Sequence, residues 1–233
     1  MFDFDEFGRR FTYYFEKYNL GGYVKFAPQF YKFAEELLRE NEKYNLTALR
    51  SLDDVIVKHF VDSAVILNYM DLHGRVLDIG AGAGFPSVPL AVCRGDLKIT
   101  CLDSSAKKIN FVRGAAQVLG LENLDFHCGR AEDFGQGGYD FAVSRAVARL
   151  NILCELAAPA LKTGGVFCAY KSKTAREELE ESAGAFKILG LELAGFTEFE
   201  LEGEARVFIA AKKISTTPEK YPRNFSQIIK QPL

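Results

Sequence analysis

No apolar run reaches the roughly 18 residues that a membrane-spanning helix requires. The opening Met1-Phe2-Asp3-Phe4-Asp5-Glu6 is acidic and aromatic, where a secretory leader would be basic and then apolar. Neither a membrane span nor a signal peptide is therefore expected. The five cysteines, Cys93, Cys101, Cys128, Cys154 and Cys168, are odd in number and show no CxxC pair and no Cys/His spacing. That argues against a disulfide framework and a metal site, and reads the thiols as small core residues in a reducing cytoplasm. No charge sign is in excess: 29 Lys and Arg stand against 31 Asp and Glu, for a net charge of -2. Nothing global therefore marks a polyanion binder. No internal repeat is visible.

What is present is an ordinary globular composition. In 233 residues, 48% are hydrophobic and 26% charged, enough for one large domain with a full core. Residues 1–70 carry helical periodicity. Phe4, Phe7, Phe11, Tyr14, Phe15 and Tyr18 recur at helical spacing as a core-facing stripe, and Gly21-Gly22 ends that segment. Ser51-Leu52-Asp53-Asp54 reads as an N-cap with acids in the first turn, leading a helix through His59 to Met70. This part is expected to be a helical appendage. From 71 to 213 strands and helices alternate, with strands expected at 75–79, 98–102, 124–128, 139–144 and 166–170. Helices are expected at 87–93, 104–119, 151–161 and 174–189, with Gly120 and Gly164-Gly165 punctuating helix ends. Alternation of this kind implies a parallel sheet covered on both faces. Two further strands, 191–201 and 206–212, form a terminal hairpin that adds an antiparallel element. Residues 214–233 read as a linker-like basic tail: Lys212, Lys213, Lys220, Arg223 and Lys230 stand against Glu219 from 212 onward, after an acidic stretch.

The most informative stretch is Val76-Leu77-Asp78-Ile79-Gly80-Ala81-Gly82-Ala83-Gly84-Phe85-Pro86. Apolar residues around Asp78 read as the end of a buried strand, and a helix start follows three alternating glycines. Turns of this kind hold nucleotide-like ligands in doubly wound sheets, because glycine lets the backbone approach closely. Asp103 ends the apolar run Ile99-Thr100-Cys101-Leu102 about 20 residues on, where an acid can accept both hydroxyls of a ribose. Two ligands fit, a dinucleotide and S-adenosylmethionine. The loop is GxGxG, and the dinucleotide fingerprint GxGxxG meets Phe85 in register from Gly80 and Ser87 in register from Gly82. The hairpin and the lack of a second catalytic domain also point away from a nicotinamide-dependent oxidoreductase. Glu132, in Gly129-Arg130-Ala131-Glu132-Asp133, stands where an adenine edge would lie.

The glycine loop, Asp103, the Arg130-Ala131-Glu132 turn, Ser144-Arg145-Ala146 and the hairpin together resemble a class I S-adenosylmethionine-dependent methyltransferase. More narrowly, six stretches resemble the bacterial small-subunit ribosomal RNA methyltransferase G family, also called glucose-inhibited division protein B. They are Tyr44-Asn45-Leu46-Thr47-Ala48, Lys58-His59-Phe60-Val61-Asp62-Ser63, the glycine loop with Phe85-Pro86, Leu102-Asp103-Ser104, Ser144 to Leu150, and Ala169-Tyr170-Lys171. Pro218-Glu219-Lys220-Tyr221-Pro222-Arg223 is similar to the basic tail of Firmicute-type members, from which 224–233 departs. The resemblance implies an α/β fold with a mostly parallel, Rossmann-like seven-stranded sheet. It implies S-adenosylmethionine as cofactor, held by Asp78, Gly80, Gly82, Gly84, Phe85, Asp103, Ala131, Glu132 and Arg145. It further implies methyl transfer to N7 of one guanine in the decoding region of 16S rRNA, met within the 30S subunit or an assembly intermediate.

The residue chemistry is consistent with that reaction. No proline precedes a cysteine, as a carbon-methylating nucleophile usually needs, and no Asn-Pro-Pro-Tyr clamp for an exocyclic amine is present. Guanine N7 already offers a lone pair and needs orientation more than a base, so no catalytic residue is assigned. Arg145 is the candidate for positioning the target, with an ion pair to a core carboxylate as the alternative. Arg130, Lys171 and Arg206 are the candidates for RNA phosphate, the first two expected to face one cleft, while Lys107 and Lys108 read as a solvated helix face. His59 stands three residues from Asp62 and reads as half of a local hydrogen-bonded pair. Two other classes remain: a methyltransferase acting on another substrate, and a non-catalytic RNA-binding protein on the same fold. The intact glycines and Asp103 argue against the latter.

Overall fold

The computed structural model describes residues 2–44, 46–48, 51–135 and 137–233. Asn45, within the first resembling stretch, lies outside them. Helix α1 (Phe4–Lys17) starts at the N-cap Asp3, whose carboxylate accepts the Glu6 N–H at 2.8 Å. It ends four residues before the expected Gly21, with Asn19 at φ 58 and a 3₁₀ turn, Gly21–Phe26, leading into α2 (Ala27–Tyr44). The Ser51 cap holds, and its side chain accepts from the Asp54 N–H. The helix beyond it is not uniform. Between α3 (Leu52–Asp54) and α4 (Asp62–Ala64) the pitch widens to a π-helix over Val55–Val61, and then tightens to 3₁₀ over Val65–Asn68. π segments inside helices often mark functional sites.

Seven strands follow in the order β3-β2-β1-β4-β5-β7-β6: β1 (Arg75–Ile79), β2 (Lys98–Asp103), β3 (Leu124–Cys128), β4 (Tyr139–Arg145), β5 (Leu161–Lys171), β6 (Leu191–Leu201) and β7 (Glu204–Lys213). The first five run parallel; β7 is antiparallel to β5 and to β6. The crossover helices are α5 (Ser87–Cys93), α6 (Ala106–Leu119), α7 (Leu150–Ala157), α8 (Ala175–Glu181) and α9 (Ala183–Leu189). Gly120 caps α6 at φ 66, as expected. Strand order reverses between β1 and β4, so a crevice opens at their carboxyl ends, where open α/β sheets bind ligands.

Successive residues of β1 face opposite sides of the sheet. Val76 joins a core with Ile99, Val88 and the phenylalanines of α1 and α2, whereas Leu77 and Ile79 join a second core with Phe167, Leu153 and Leu189. The N-terminal helices are therefore not an appendage with its own interior. Their aromatic stripe (Phe7, Phe11 and Phe15, all fully buried) is one wall of the sheet's core.

Four other expectations are corrected. The helix over 151–161 ends at Ala157 and passes through a 3₁₀ turn at Ala158–Ala160. Leu161 already pairs with Tyr139, so Gly164-Gly165 lie inside β5, opposite a bulge between Tyr139 and Phe141, rather than at a helix end. The helix over 174–189 is two helices broken at Ser182, whose hydroxyl donates to the Glu178 carbonyl at 2.6 Å and competes with the helical ladder. The segment after β7 is no linker. Tyr221 and Ile228 are buried, and Arg223 meets the fully buried Glu155 through Nε at 2.8 Å and Nη2 at 2.6 Å. A short helix, α10 (Phe225–Lys230), lies against α7 through Ile228, Ile152 and Leu156. Two of the five basic tail residues are thus internal, Arg223 on Glu155 and Lys213 on the carbonyls of Ala158 and Leu161.

Candidate functional site: two clefts joined at Arg145

A cleft of about 460 Å³ lies at the β1/β4 reversal. Gly80, Gly82, Phe85, Asp103, Ala131, Glu132, Arg130 and Arg145 all line it, so residues from four separate stretches of sequence converge there. Asp103 closes β2 with both oxygens engaged. Oδ2 accepts the Gly82 N–H at 3.0 Å and Oδ1 accepts the Ser105 N–H at 2.8 Å. The carboxylate thus ties the loop to the sheet while its remaining lone pairs face the cleft. Gly82 sits at φ +58, and a Cβ built there would enter open space, its nearest neighbour being the Gly80 carbonyl oxygen at 3.8 Å. Ala131–Asp133 forms a 3₁₀ turn after β3, and the start of such a turn leaves N–H groups without helical partners.

Two residues expected on this wall lie behind it. Gly84 faces inward, where a Cβ would stand 2.7 Å from Val88 Cγ2. Asp78 is fully buried below the loop and accepts from the Ser87 hydroxyl and, at 3.3 Å, from the Ser87 N–H. Its Oδ1 has no hydrogen-bond partner among the described residues. Burial pushes its carboxyl up to about 7 against the pull of those hydrogen bonds. Asp78 and Gly84 therefore shape the loop from beneath.

A second cleft of about 510 Å³ adjoins the first and shares His59, Arg145 and Ala146 with it. Its lining holds four cations, Lys58, Arg145, Lys171 and Arg206, against Asp62 and Glu178. Asp62 bridges two of them: Oδ2 takes Arg145 Nη1 at 2.9 Å and Oδ1 takes Arg206 Nε at 3.0 Å. Arg206 also reaches Glu204 at 2.8 Å. Arg145 therefore combines both sequence readings, since it is ion-paired and still lines both clefts, with its guanidinium 5.1 Å from the Phe85 ring centroid.

Lys171 is not available to phosphate. Its ammonium is buried on Glu178 at 2.6 Å and on the Ala148 carbonyl at 2.6 Å, which pins the turn after β4 to α8. Burial alone would push the Glu178 carboxyl up, but the hydrogen bonds from Lys171 and Thr174 hold it below the usual carboxylate range. Lys171 and Arg130 also line different clefts. Arg130 is exposed at the mouth of the first, 4.0 Å from Glu132. Lys108, read as solvated, lies on the same wall with its ammonium 3.9 Å from Asp103. Lys107 lies outside both clefts.

Sequence reasoning paired His59 with Asp62 and gave it no place in the cleft. Its ring stacks on Phe85 at 4.3 Å between centroids and 10° between planes, and Nε2 lies 2.7 Å from Thr47 Oγ1, rather than bonding to Asp62. Arg145 Nη2 approaches Nδ1 at 3.4 Å. An arginine can only donate, so Nδ1 accepts and the ring proton belongs on Nε2. Burial, with the Arg145 charge beside it, lowers the imidazole to about 3, so His59 is neutral at physiological pH. Ala146 was missed; it takes the left-handed conformation at φ 57 where the two clefts meet. Strain of this kind clusters at functional sites. Phe225, from α10, also lines the first cleft. Of the cysteines, Cys93, Cys101, Cys154 and Cys168 are buried, and burial pushes their thiols up, away from the reactive thiolate; Cys128 is exposed. Among the described residues no group of three or more His, Cys, Asp or Glu could hold a metal ion, and no helix is long and apolar enough to cross a membrane.

Solved structures with this sheet include TrmN from Thermus thermophilus, with a TM-score of 0.54 and 19% identity, covering 68% of this chain and 53% of that one. TYW2 from P. horikoshii, solved in complex with MeSAdo, gives a TM-score of 0.54 and 17% identity, covering 65% of this chain and 61% of that one. At such identity the likeness speaks to fold alone. Sequence relatives are nearer. The ribosomal RNA small subunit methyltransferase G of Deinococcus radiodurans is 46% identical over 220 residues, spanning 89% of this chain and 87% of that protein. The protein of the same name from Exiguobacterium sibiricum is 43% identical over 214 residues, with 88% and 90% covered. A family model described as rRNA small subunit methyltransferase G matches residues 27–207. On both counts the chain belongs to the rRNA small subunit methyltransferase G family.

Proposed function

We propose that this protein transfers a methyl group from S-adenosylmethionine to N7 of one guanine in the decoding region of 16S rRNA, in the cytoplasm, on the 30S subunit or an assembly intermediate. Relatives named ribosomal RNA small subunit methyltransferase G support the coarser part, methylation of small-subunit rRNA. The observation that carries the reading is the pair of clefts meeting at Arg145 and Ala146, the first lined by the glycine loop, Asp103 and Glu132, the second by four basic side chains and two carboxylates.

The first cleft fits the methyl donor. Asp103 has lone pairs for the ribose hydroxyls, Ala131 and Glu132 face the adenine end, and Gly82 leaves open space. When bound, S-adenosylmethionine supplies an electrophilic methyl group on a sulfonium sulfur. The protein's own contribution is orientation. Guanine N7 carries its lone pair in the neutral base, so no proton has to be removed before attack. The join matches that requirement. His59 is neutral and held by Thr47 and Phe85, and Asp62 is occupied by two arginines. Arg145 has donors at the join of the two clefts, where a guanine O6 could be held. Arg130 and Arg206 are the phosphate candidates that keep exposure or an open cleft face.

The test is to incubate the purified protein with labelled S-adenosylmethionine and either undermodified 30S subunits or naked 16S rRNA, and to map the product. Label at N7 of a single guanine is the expected result. Label on another atom overturns the N7 assignment, and no label on either substrate overturns the RNA reading.

A further inference from the structure

Phe225 lies beyond the family match, which ends at residue 207, yet its ring is part of the first cleft's wall. We propose that Phe225 is a binding residue for the adenine of the methyl donor, carried into the cleft by a strap formed from residues 214–233. The inference rests on reading that cleft as the donor site.

The strap is anchored along its length. Thr217 donates to the Leu189 carbonyl at 2.9 Å, and Tyr221 is buried in the core beneath the sheet. Arg223 makes a forked pair with Glu155, whose carboxylate also accepts the Arg223 N–H at 2.9 Å. Asn224 then caps α10, its side chain accepting from the Gln227 N–H at 3.0 Å. A fully buried carboxylate is costly unless paired, so Glu155 favours the docked strap strongly. The segment is thus held from Thr217 to Ile228.

The anchoring delivers one aromatic ring to one place. Phe225 and Ala131 pack on the same cluster, Ile152, Leu156 and Ile228, and the Arg130 guanidinium lies 5.7 Å from the Phe225 centroid. Phe225, Leu156 and Ala131 thus give this end of the cleft an apolar wall, with Glu132 supplying an acceptor beside it. Adenine has two apolar faces and a polar edge with an amino group, and this wall and acceptor complement both.

The experiment measures S-adenosylhomocysteine and methylthioadenosine binding by calorimetry to the full-length protein and its Phe225→Ala and Phe225→Tyr variants. The two ligands share the adenosine and differ in the amino-acid part. Phe225→Ala should weaken both by about thirtyfold, the middle of the range for losing a base–aromatic contact, while Phe225→Tyr stays within about twofold of wild type. Hydrogen exchange should show ligand-dependent protection of 221–230 in the wild-type protein. If the Ala variant fails to fold, Phe225→Leu replaces it; leucine keeps the contact with Ile228 but has no flat face, so it too should weaken both ligands. Wild-type affinity in the folded Ala or Leu variant overturns the inference and leaves the donor-site reading intact. Weakening of S-adenosylhomocysteine alone also overturns it, because the contact would not be to adenosine. A wild-type protein that binds neither ligand overturns the donor-site reading itself.

Discussion

Replacing Gly82 and Gly84 one at a time with alanine separates a ligand-facing position from a packing position two residues away. Both have positive φ, +58 and +89, so each alanine meets the left-handed penalty of about 1–2 kcal/mol. At Gly82 nothing else is added to stability, because the new methyl meets no atom nearer than 3.8 Å. The space it enters belongs to the cleft, so the loss should appear in ligand affinity. At Gly84 the methyl would stand 2.7 Å from Val88 Cγ2 and 3.4 Å from both Val112 methyls. Overpacking of that kind costs about 1–3 kcal/mol more, for a total of roughly 2–5 kcal/mol. Urea denaturation gives the stability, and calorimetry with S-adenosylhomocysteine gives the affinity of the folded fraction. Gly82→Ala should weaken binding on the order of tenfold, or about 1.4 kcal/mol, with a modest stability loss. Gly84→Ala should show the reverse. Unchanged affinity in Gly82→Ala, or lost affinity with intact stability in Gly84→Ala, would refute the assignment of the two glycines.

Asp103→Ala should weaken S-adenosylhomocysteine binding by about 1.5–3 kcal/mol, the worth of a charged hydrogen bond, and unchanged affinity would remove it from the site. Arg130→Ala should lower RNA affinity and reduce its salt slope by about one, whereas Lys171→Met should leave the slope alone and cost roughly 3 kcal/mol of stability by stranding Glu178; a Lys171 variant with normal stability and a reduced slope would reverse these roles. Replacing each cysteine singly by alanine should leave methyl transfer largely intact, and loss of turnover in a folded, ligand-binding variant would revive a covalent route. Asp78 binds its proton more tightly folded, at about 7, than unfolded, near 3.8. Its stabilising contribution is thus full below pH 3.8 and lost as the pH rises through 7, by at most about 1.4 kcal/mol per unit. The wild type should therefore lose stability relative to Asp78→Asn between pH 4 and 8, and an offset constant across that range would contradict the shift.

The parts of this molecule that could be read from sequence are those whose signal is local. The β1 loop combines an apolar run, glycine spacing and a proline within eleven residues, and Asp103 follows at the end of the next apolar run. Lys171 was misassigned because a lysine after a strand looks the same whether it faces solvent or a partner. Its partner, Glu178, is on α8 and is brought back by the fold. His59 and Asp62 would be neighbours on a regular α-helix. The π pitch over Val55–Val61 turns residues three apart away from each other, and nothing in the composition announces that pitch. The segment after β7 misled for a different reason. Its composition is polar and its anchors are single residues, Tyr221, Arg223 and Ile228, too sparse to register as periodicity. Gly164-Gly165 carried a real signal with two meanings, since a glycine pair serves a bulged strand as readily as a helix end.

The ion-pair network at the join adds a polar tie between the N-terminal helices and the sheet whose core they share. Asp62 opens α4 just after the π segment, Arg145 comes from the end of β4 and Arg206 from β7, so one carboxylate ties three distant parts of the chain together. Neither arginine would be stable half-buried without it, and removing one partner of such a pair typically costs about 3–5 kcal/mol. Glu204 shares the load for Arg206, which lowers the cost on that side. The arrangement fixes Arg145 between the two clefts, over Phe85, which in turn lies 5.3 Å from Phe33 of α2. Packing in the N-terminal helices therefore sets where the Arg145 donors point. A core substitution at Phe33 or Phe60 would disturb the target cleft as well as stability, which an independently folded appendage would not do.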